Sequence, residues 1–142
     1  MIRLNNNAEL EEMMDIWYEG SVTAHGFVDA KYWASQRNDM KLKYFPLAEN
    51  YIIRNETEII GFVSMVDNYL AALFVNALYQ GMGYGKELLD YVKDQYDFIQ
   101  LKVYKKNFRA ADFYLRNSFV VKKELLDENT KEEEYLMEWY KH

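Results

Sequence analysis

Three of the six glycines in this 142-residue chain fall within five positions, at Gly81, Gly83 and Gly85. They end the segment Leu73-Phe74-Val75-Asn76-Ala77-Leu78-Tyr79-Gln80-Gly81-Met82-Gly83-Tyr84-Gly85-Lys86, which an apolar run enters and an amphipathic helical pattern leaves. Closely spaced glycines let successive backbone N–H groups point into one concavity, and a helix N-terminus adds about half a positive charge. The chemistry on offer is phosphate binding. The plainer alternative is a tight strand-to-helix turn that uses glycine for positive φ alone. A Walker A loop needs four residues between its first glycine and Gly-Lys, with Ser or Thr next. Here three residues separate Gly81 from Gly85-Lys86, and Glu87 stands where the hydroxyl belongs, its charge opposed to a nucleotide. The dinucleotide fingerprint GxGxxG fails too, because Lys86 occupies the place of its last glycine.

A second group of residues lies downstream. Asn107 and Tyr114 are seven positions apart, which puts both on one helix face across two turns, with Ala110 and Ala111 between them. Asn107 suits a helix N-cap, and Tyr114 suits either a core tyrosine with its hydroxyl at the edge or a proton donor. Lys86, Lys105, Lys106 and Arg109 are either a solvated face or phosphate contacts, with Lys86 best placed beside the glycines.

The spacing Gln80-x-x-Gly83-x-Gly85 resembles the signature Q/R-x-x-G-x-G/A of the GCN5-related N-acetyltransferase (GNAT) superfamily, which cradles the pyrophosphate of acetyl-CoA. Val103-Tyr104-Lys105-Lys106-Asn107 and Ala110…Phe113-Tyr114…Phe119 match that family's second motif, and the resemblance extends over nearly the whole chain. Ala24-His25-Gly26-Phe27-Val28 with Tyr32-Trp33 is similar to its small bacterial YiaC/YjaB-type branch, linked to protein lysine acetylation or without assigned acceptors. The resemblance implies an α/β (α+β) GNAT fold: a mixed, mostly antiparallel sheet flanked by helices, its two central strands splayed apart. It implies acetyl-CoA as co-substrate and an amine as acceptor, either a protein lysine or N-terminus or a small cationic amine. Leu73, Phe74 and Val75 would hold the pantetheine arm by backbone hydrogen bonds. Gln80, Gly81, Met82, Gly83, Tyr84, Gly85 and Lys86 would surround the pyrophosphate, and Asn107 would add a side-chain contact. Tyr114 takes the position of the family's general acid. His25, Phe27, Tyr32 and Trp33 are acceptor-pocket candidates, although aromatic faces at helical spacing are usually core.

Acetyl transfer to an amine needs a neutral nucleophile and a proton for the departing thiolate. A lysine-like amine has a pKa of ~10.4, so presenting it neutral at pH 7 costs roughly 4–5 kcal/mol without a base. A phenol with pKa ~10 can serve as the proton donor. The base is less evident, because Tyr69–Val75 carries no carboxylate where many family members have one. Asp67 and Glu58 lie nearby and could act through water, and His25 titrates near neutrality. With no cysteine, a cysteine-linked acetyl-enzyme is unavailable, and direct attack in a ternary complex is the economical route. The rival reading is a non-catalytic acyl-CoA-binding sensor on the same fold. The sequence departs from the family at Asn76-Ala77, where many members have a proline-containing pair. It departs again at Ser118, which replaces a glycine before Phe119 and implies a slightly strained left-handed residue.

The elements that must position these groups follow from periodicity. Met1–Leu4 reads as a strand, and Asn6 or Asn7 as the cap of a helix through about Tyr18, with Gly20 just past its end at positive φ. Ser21–Val28 reads as a loop, Asp29 as the cap of a second helix carrying Tyr32, Trp33 and Met40, and Pro46 as its end. Residues 51–53, 59–66 and 69–75 form an antiparallel meander, followed by the glycine segment and a helix with Leu88, Leu89, Val92 and Tyr96. A strand at Phe98–Tyr104, a helix at Asn107–Asn117 and strands at Phe119–Leu125 and Glu134–Trp139 complete the chain. One domain over residues 1–142 is expected. A net charge of -6 argues against nucleic acid and favours a cationic acceptor. No apolar run approaches the ~20 residues of a membrane helix, no metal site is expected, and the N-terminus lacks a signal-peptide pattern. A cytoplasmic monomer or homodimer is the simplest expectation.

Overall fold

β-branched and aromatic runs pair into seven strands in the computed structural model, which describes residues 1–142. The strands are β1 (Ile2–Leu4), β2 (Glu49–Arg54), β3 (Ile59–Val66), β4 (Tyr69–Val75), β5 (Phe98–Tyr104), β6 (Val120–Asp127) and β7 (Glu132–Tyr140). They form one sheet in the order β1-β2-β3-β4-β5-β7-β6. Every neighbouring pair is antiparallel except β4 and β5, so the mixed, mostly antiparallel sheet of the GNAT fold is present. The helices are α1 (Leu10–Ala24), α2 (Ala30–Asp39), the three-residue α3 (Phe45–Leu47) after a π-helical turn at Met40–Tyr44, α4 (Tyr84–Lys93) and α5 (Phe108–Arg116). None is long and apolar enough to cross a membrane.

The sheet separates two cores. On one face Met13, Met14 and Trp17 of α1, with Trp33 of α2, pack on Ile52, Ile59 and Phe62. On the other, Leu88, Leu89 and Val92 of α4 and Tyr114 of α5 pack on Leu101 and Met137. Each large apolar side chain removed from water contributes about 1.5–3 kcal/mol, so β3, enclosed on both faces, is the fixed plane against which the rest is aligned.

β4 and β5 share a single register pair, Tyr69 with Gln100. The Gln100 N–H donates to Asn68 O at 2.9 Å, and the Asn68 amide donates to Phe98 O at 2.9 Å. Beyond that clasp the strands part. The cause is a bulge in β4: Ser64 of β3 faces Ala72 while Met65 faces Leu70, leaving Ala71 without a partner. An extra residue bends its strand and ends local pairing. The expected splay is therefore present, bounded by Leu73–Val75 on one side and the end of β5 on the other.

The N-terminal segment departs from the sequence reading. A 3-10 turn at Asn7–Glu9 precedes α1, and the Asn6 N–H donates to the Glu9 carboxylate at 3.0 Å. α1 then runs through Gly20 to Ala24, and only Gly81 and Gly83 among the glycines have positive φ. Gly20 is needed for closeness: a Cβ there would lie 2.5 Å from the ring of Phe74. That contact seats α1 directly on the splayed end of β4. Met40 starts the π-turn instead of belonging to α2, and α4 ends before Tyr96.

Candidate active site

The segment after β4 is built to leave backbone N–H groups free. Asn76 caps a 3-10 turn at Ala77–Tyr79, its side chain accepting from the Leu78 N–H at 3.1 Å. Gly81 at φ 79 and Gly83 at φ 88 then turn the chain, and Gly83 becomes the N-cap of α4. No protein acceptor engages the N–H groups of residues 81–86. Six consecutive free donors at the positive end of a helix fit a pyrophosphate. The Gln80 side chain donates to Val75 O at 3.1 Å, so it braces the loop against the strand end. Gly85 differs from its neighbours: it lies within α4, and a Cβ there would touch Val75 and Phe113 at ordinary distances. It marks where the start of α4 meets the end of β4 and the side of α5.

β4 supplies the next donors. Asn76 N–H bonds to Ile60 O at 2.8 Å, so by strand alternation Leu73 and Val75 direct their backbone groups away from β3 and into the splay. Met82 is exposed, and the Lys86 ammonium is paired with Asp90 at 2.7 Å. Lys105 and Lys106 turn toward β6 and β7: Lys105 pairs with Glu124 and with Glu133, and Lys106 with Glu132 at 3.0 Å. Neither lysine is directed at the glycine loop, and Arg109 is an exposed residue in the first turn of α5.

Tyr114 of α5 is buried in the α4–α5 core, its ring packed on Phe113 and Phe119. The phenol makes no hydrogen bond within the chain, and burial, with Tyr69 nearby, pushes its pKa up. It therefore holds its proton throughout the neutral range, as a donor to a departing thiolate must. Asn107 is more committed than the sequence suggested. Its Oδ1 caps α5 by accepting from the Ala110 N–H at 3.2 Å, and its Nδ2 lies 3.2 Å from His25 Nε2. One amide hydrogen remains for any ligand. Ser118 adopts the left-handed conformation, φ 74.

The acceptor-pocket candidates come together beside Tyr104 at the end of β5. His25 follows the end of α1, its ring 5.0 Å from Tyr104, 5.2 Å from Trp33 and 5.8 Å from Phe27. Burial pushes its pKa down to about 4, so it is neutral at pH 7. Its Nδ1 and the Trp33 Nε1 are buried without partners. Tyr32, half-exposed, stacks edge-on against Trp33 at 5.0 Å. His25, Phe27 and Trp33 thus form one aromatic cluster in which Trp33 belongs to the α1–α2 core, and Tyr32 stands at its rim. Of the two carboxylates considered as bases, Glu58 accepts from the Asn76 side chain at 3.1 Å, and Asp67 lies in the exposed turn at the clasped end of β4.

Sequence reasoning missed the groups beside this cluster. Tyr104 donates to Asp127 at 2.6 Å, and burial followed by that bond pushes the phenol up. Asp127 is raised by burial, but the Tyr104 bond and the turn N–H groups outweigh this and hold it below the usual carboxylate range. Glu134 lies opposite Tyr104 in the β5–β7 register, and Tyr69 enters from the start of β4. The available signal was the alternation along β7, where Tyr135, Met137 and Trp139 pack with the α4–α5 core and so turn Glu134 to the other face.

A parallel pair of strands held at one end and parted by a bulge, with free amides at its mouth, is the arrangement that the resemblance to GNAT acetyltransferases implies. The model of the acetyltransferase (GNAT) family matches residues 9–119, and the chain belongs to that family. It is 30% identical over 140 residues to the peptidyl-lysine N-acetyltransferase YiaC of Escherichia coli (strain K12), covering 98% of this chain and 96% of that protein. The solution structure of apo-form YjaB from Escherichia coli superposes with a TM-score of 0.86 at 22% identity, covering 100% of this chain and 98% of that one. The PaiA N-acetyltransferase of Thermoplasma acidophilum, crystallised in complex with coenzyme A, superposes at 0.79 with 20% identity over 99% and 98% of the two chains. The protein is an acetyl-CoA-dependent N-acetyltransferase.

Proposed function

We propose that this enzyme acetylates lysine side chains of peptides or proteins by direct attack of the amine on acetyl-CoA. The observation that carries the reading is the β4–β5 splay, open between free amides at one mouth and an aromatic and acidic wall at the other. The N–H groups of 81–86 bind the pyrophosphate, and the backbone of Leu73 and Val75 holds the pantetheine arm alongside Phe74. Acetyl-CoA supplies the activated acetyl group. Tyr114 hydrogen-bonds the sulfur as the carbon–sulfur bond breaks and yields its proton to it. The lysine class of acceptor is supported by likeness to YiaC, named a peptidyl-lysine N-acetyltransferase, and by a net charge of -6 that favours a cationic partner.

The test offers the purified protein acetyl-CoA with three acceptors: an N-terminally blocked lysine peptide, a free-α-amino peptide without lysine, and spermidine. Acetylation is read by mass spectrometry and CoA release. The lysine peptide is expected to react fastest; preference for spermidine or the α-amino peptide replaces lysine as the acceptor.

A further inference from the structure

The α1–α2 side of the splay holds a carboxylate that no other group engages. Glu134 sits on β7 opposite Tyr104 of β5 and Leu125 of β6, half-buried. Its acidic neighbours are all occupied: Glu132 by Lys106, Glu133 by Lys105, and Glu138 by Gln100 at 2.8 Å and Tyr140 at 2.6 Å. Glu134 alone among them has no hydrogen bond and no ion pair. We propose that Glu134 is the base of the transfer reaction, its carboxylate receiving the acceptor ammonium at the open side of the splay and taking its proton. The proposal rests on the amine-acceptor reading above.

Its surroundings suit that role. Asp127 of β6, Lys102 and Tyr104 of β5, Tyr69 of β4 and Tyr32 of α2 are the ionisable groups around it. Burial, then the charge of Asp127, push Glu134 above the usual carboxylate range, with exposed Lys102 opposing. Two carboxylates with phenols around them favour a cation, and a raised carboxylate pKa brings the base nearer its working pH. Burial, then the charge of Glu134, raise the phenol pKa of Tyr69, which registers with Gln100 at the clasped end of the splay.

The step balances as follows. Glu134 takes one proton from the ammonium and later releases it to water. The freed nitrogen pair bonds to the acetyl carbonyl carbon, the carbon–sulfur bond breaks, and sulfur leaves with the Tyr114 proton. The second proton lost from nitrogen restores the phenol through solvent.

The experiment compares wild type, Glu134→Gln and Glu134→Asp with acetyl-CoA and the blocked lysine peptide. Glu134→Gln is expected to lower kcat/KM about 100-fold at pH 7, the deficit shrinking as pH rises toward 9 and the peptide amine deprotonates unaided. Calorimetry should show unchanged CoA affinity and about 10-fold weaker binding of the peptide to the enzyme–CoA complex. Glu134→Asp should keep the wild-type pH profile with a lower kcat. A Gln variant within twofold of wild type, with the same pH profile, overturns the proposal; so does loss of CoA binding, which marks a structural residue. If wild type binds acetyl-CoA but leaves every amine unmodified, the amine-acceptor reading fails and Glu134 loses its role with it.

Discussion

The two sides of the β4–β5 splay present different parts of the chain. The proposed donor side offers main-chain groups: six free N–H groups at 81–86 and the alternate backbone of Leu73 and Val75, all from one stretch of sequence. The proposed acceptor side offers side chains gathered from the end of α1 and from α2, β4, β5, β6 and β7: His25, Trp33, Tyr69, Tyr104, Asp127 and Glu134. Gly81, Met82, Gly83 and Lys86 on the loop are exposed, with the N–H groups of 81–86 unengaged, whereas the opposite side is an aromatic cluster around a buried histidine. A ligand common to every turnover can be held by geometry that many side chains permit. An acceptor has to be distinguished from its competitors, and only side chains distinguish.

That contrast can be broken experimentally. The largest effect is expected at the proposed proton donor: Tyr114→Phe should lower single-turnover acetyl transfer about 100-fold while leaving acetyl-CoA affinity unchanged. Near-normal transfer would remove the phenol from the chemistry. The aromatic cluster should register pH through His25. Its folded pKa of about 4 lies below the ordinary value of ~6.5, so its contribution is fully present above the unfolded value and is lost as pH falls toward 4. Urea unfolding should show about 2 kcal/mol less stability at pH 5 than at pH 7, and His25→Gln should flatten that fall. The smallest effect concerns the donor loop. Gly83→Ala places a Cβ at φ 88, which costs about 1–2 kcal/mol, so acetyl-CoA should bind roughly 10-fold more weakly by calorimetry. Acceptor affinity for the preformed CoA complex should stay the same.

The same contrast explains what could be read from the sequence. Gln80, Gly81, Gly83 and Gly85 fall within six positions, and the left-handed φ at Gly81 and Gly83 is a local demand, so the glycine turn was legible from spacing. Periodicity gave the strands and the larger helices for the same reason. Gly20 misled because glycine satisfies two needs: positive φ at a helix end, or room for a neighbour. The deciding contact, the Phe74 ring, lies 54 positions along the chain. Lys105 and Lys106 follow the strand before the family's second motif, yet strand pairing turns them toward carboxylates of β6 and β7. Glu134 was hidden in the run Glu132-Glu133-Glu134, since only pairing with β5 separates the unengaged carboxylate from its ion-paired neighbours.

The most direct test of the account follows backbone amide resonances of the 15N-labelled enzyme as acetyl-CoA is added. The splay predicts that the amides of Gly81 to Lys86, with Leu73 and Val75, shift most, while the exposed strand β6 stays unchanged. Saturable binding that leaves the 81–86 amides in place and moves residues elsewhere would contradict it.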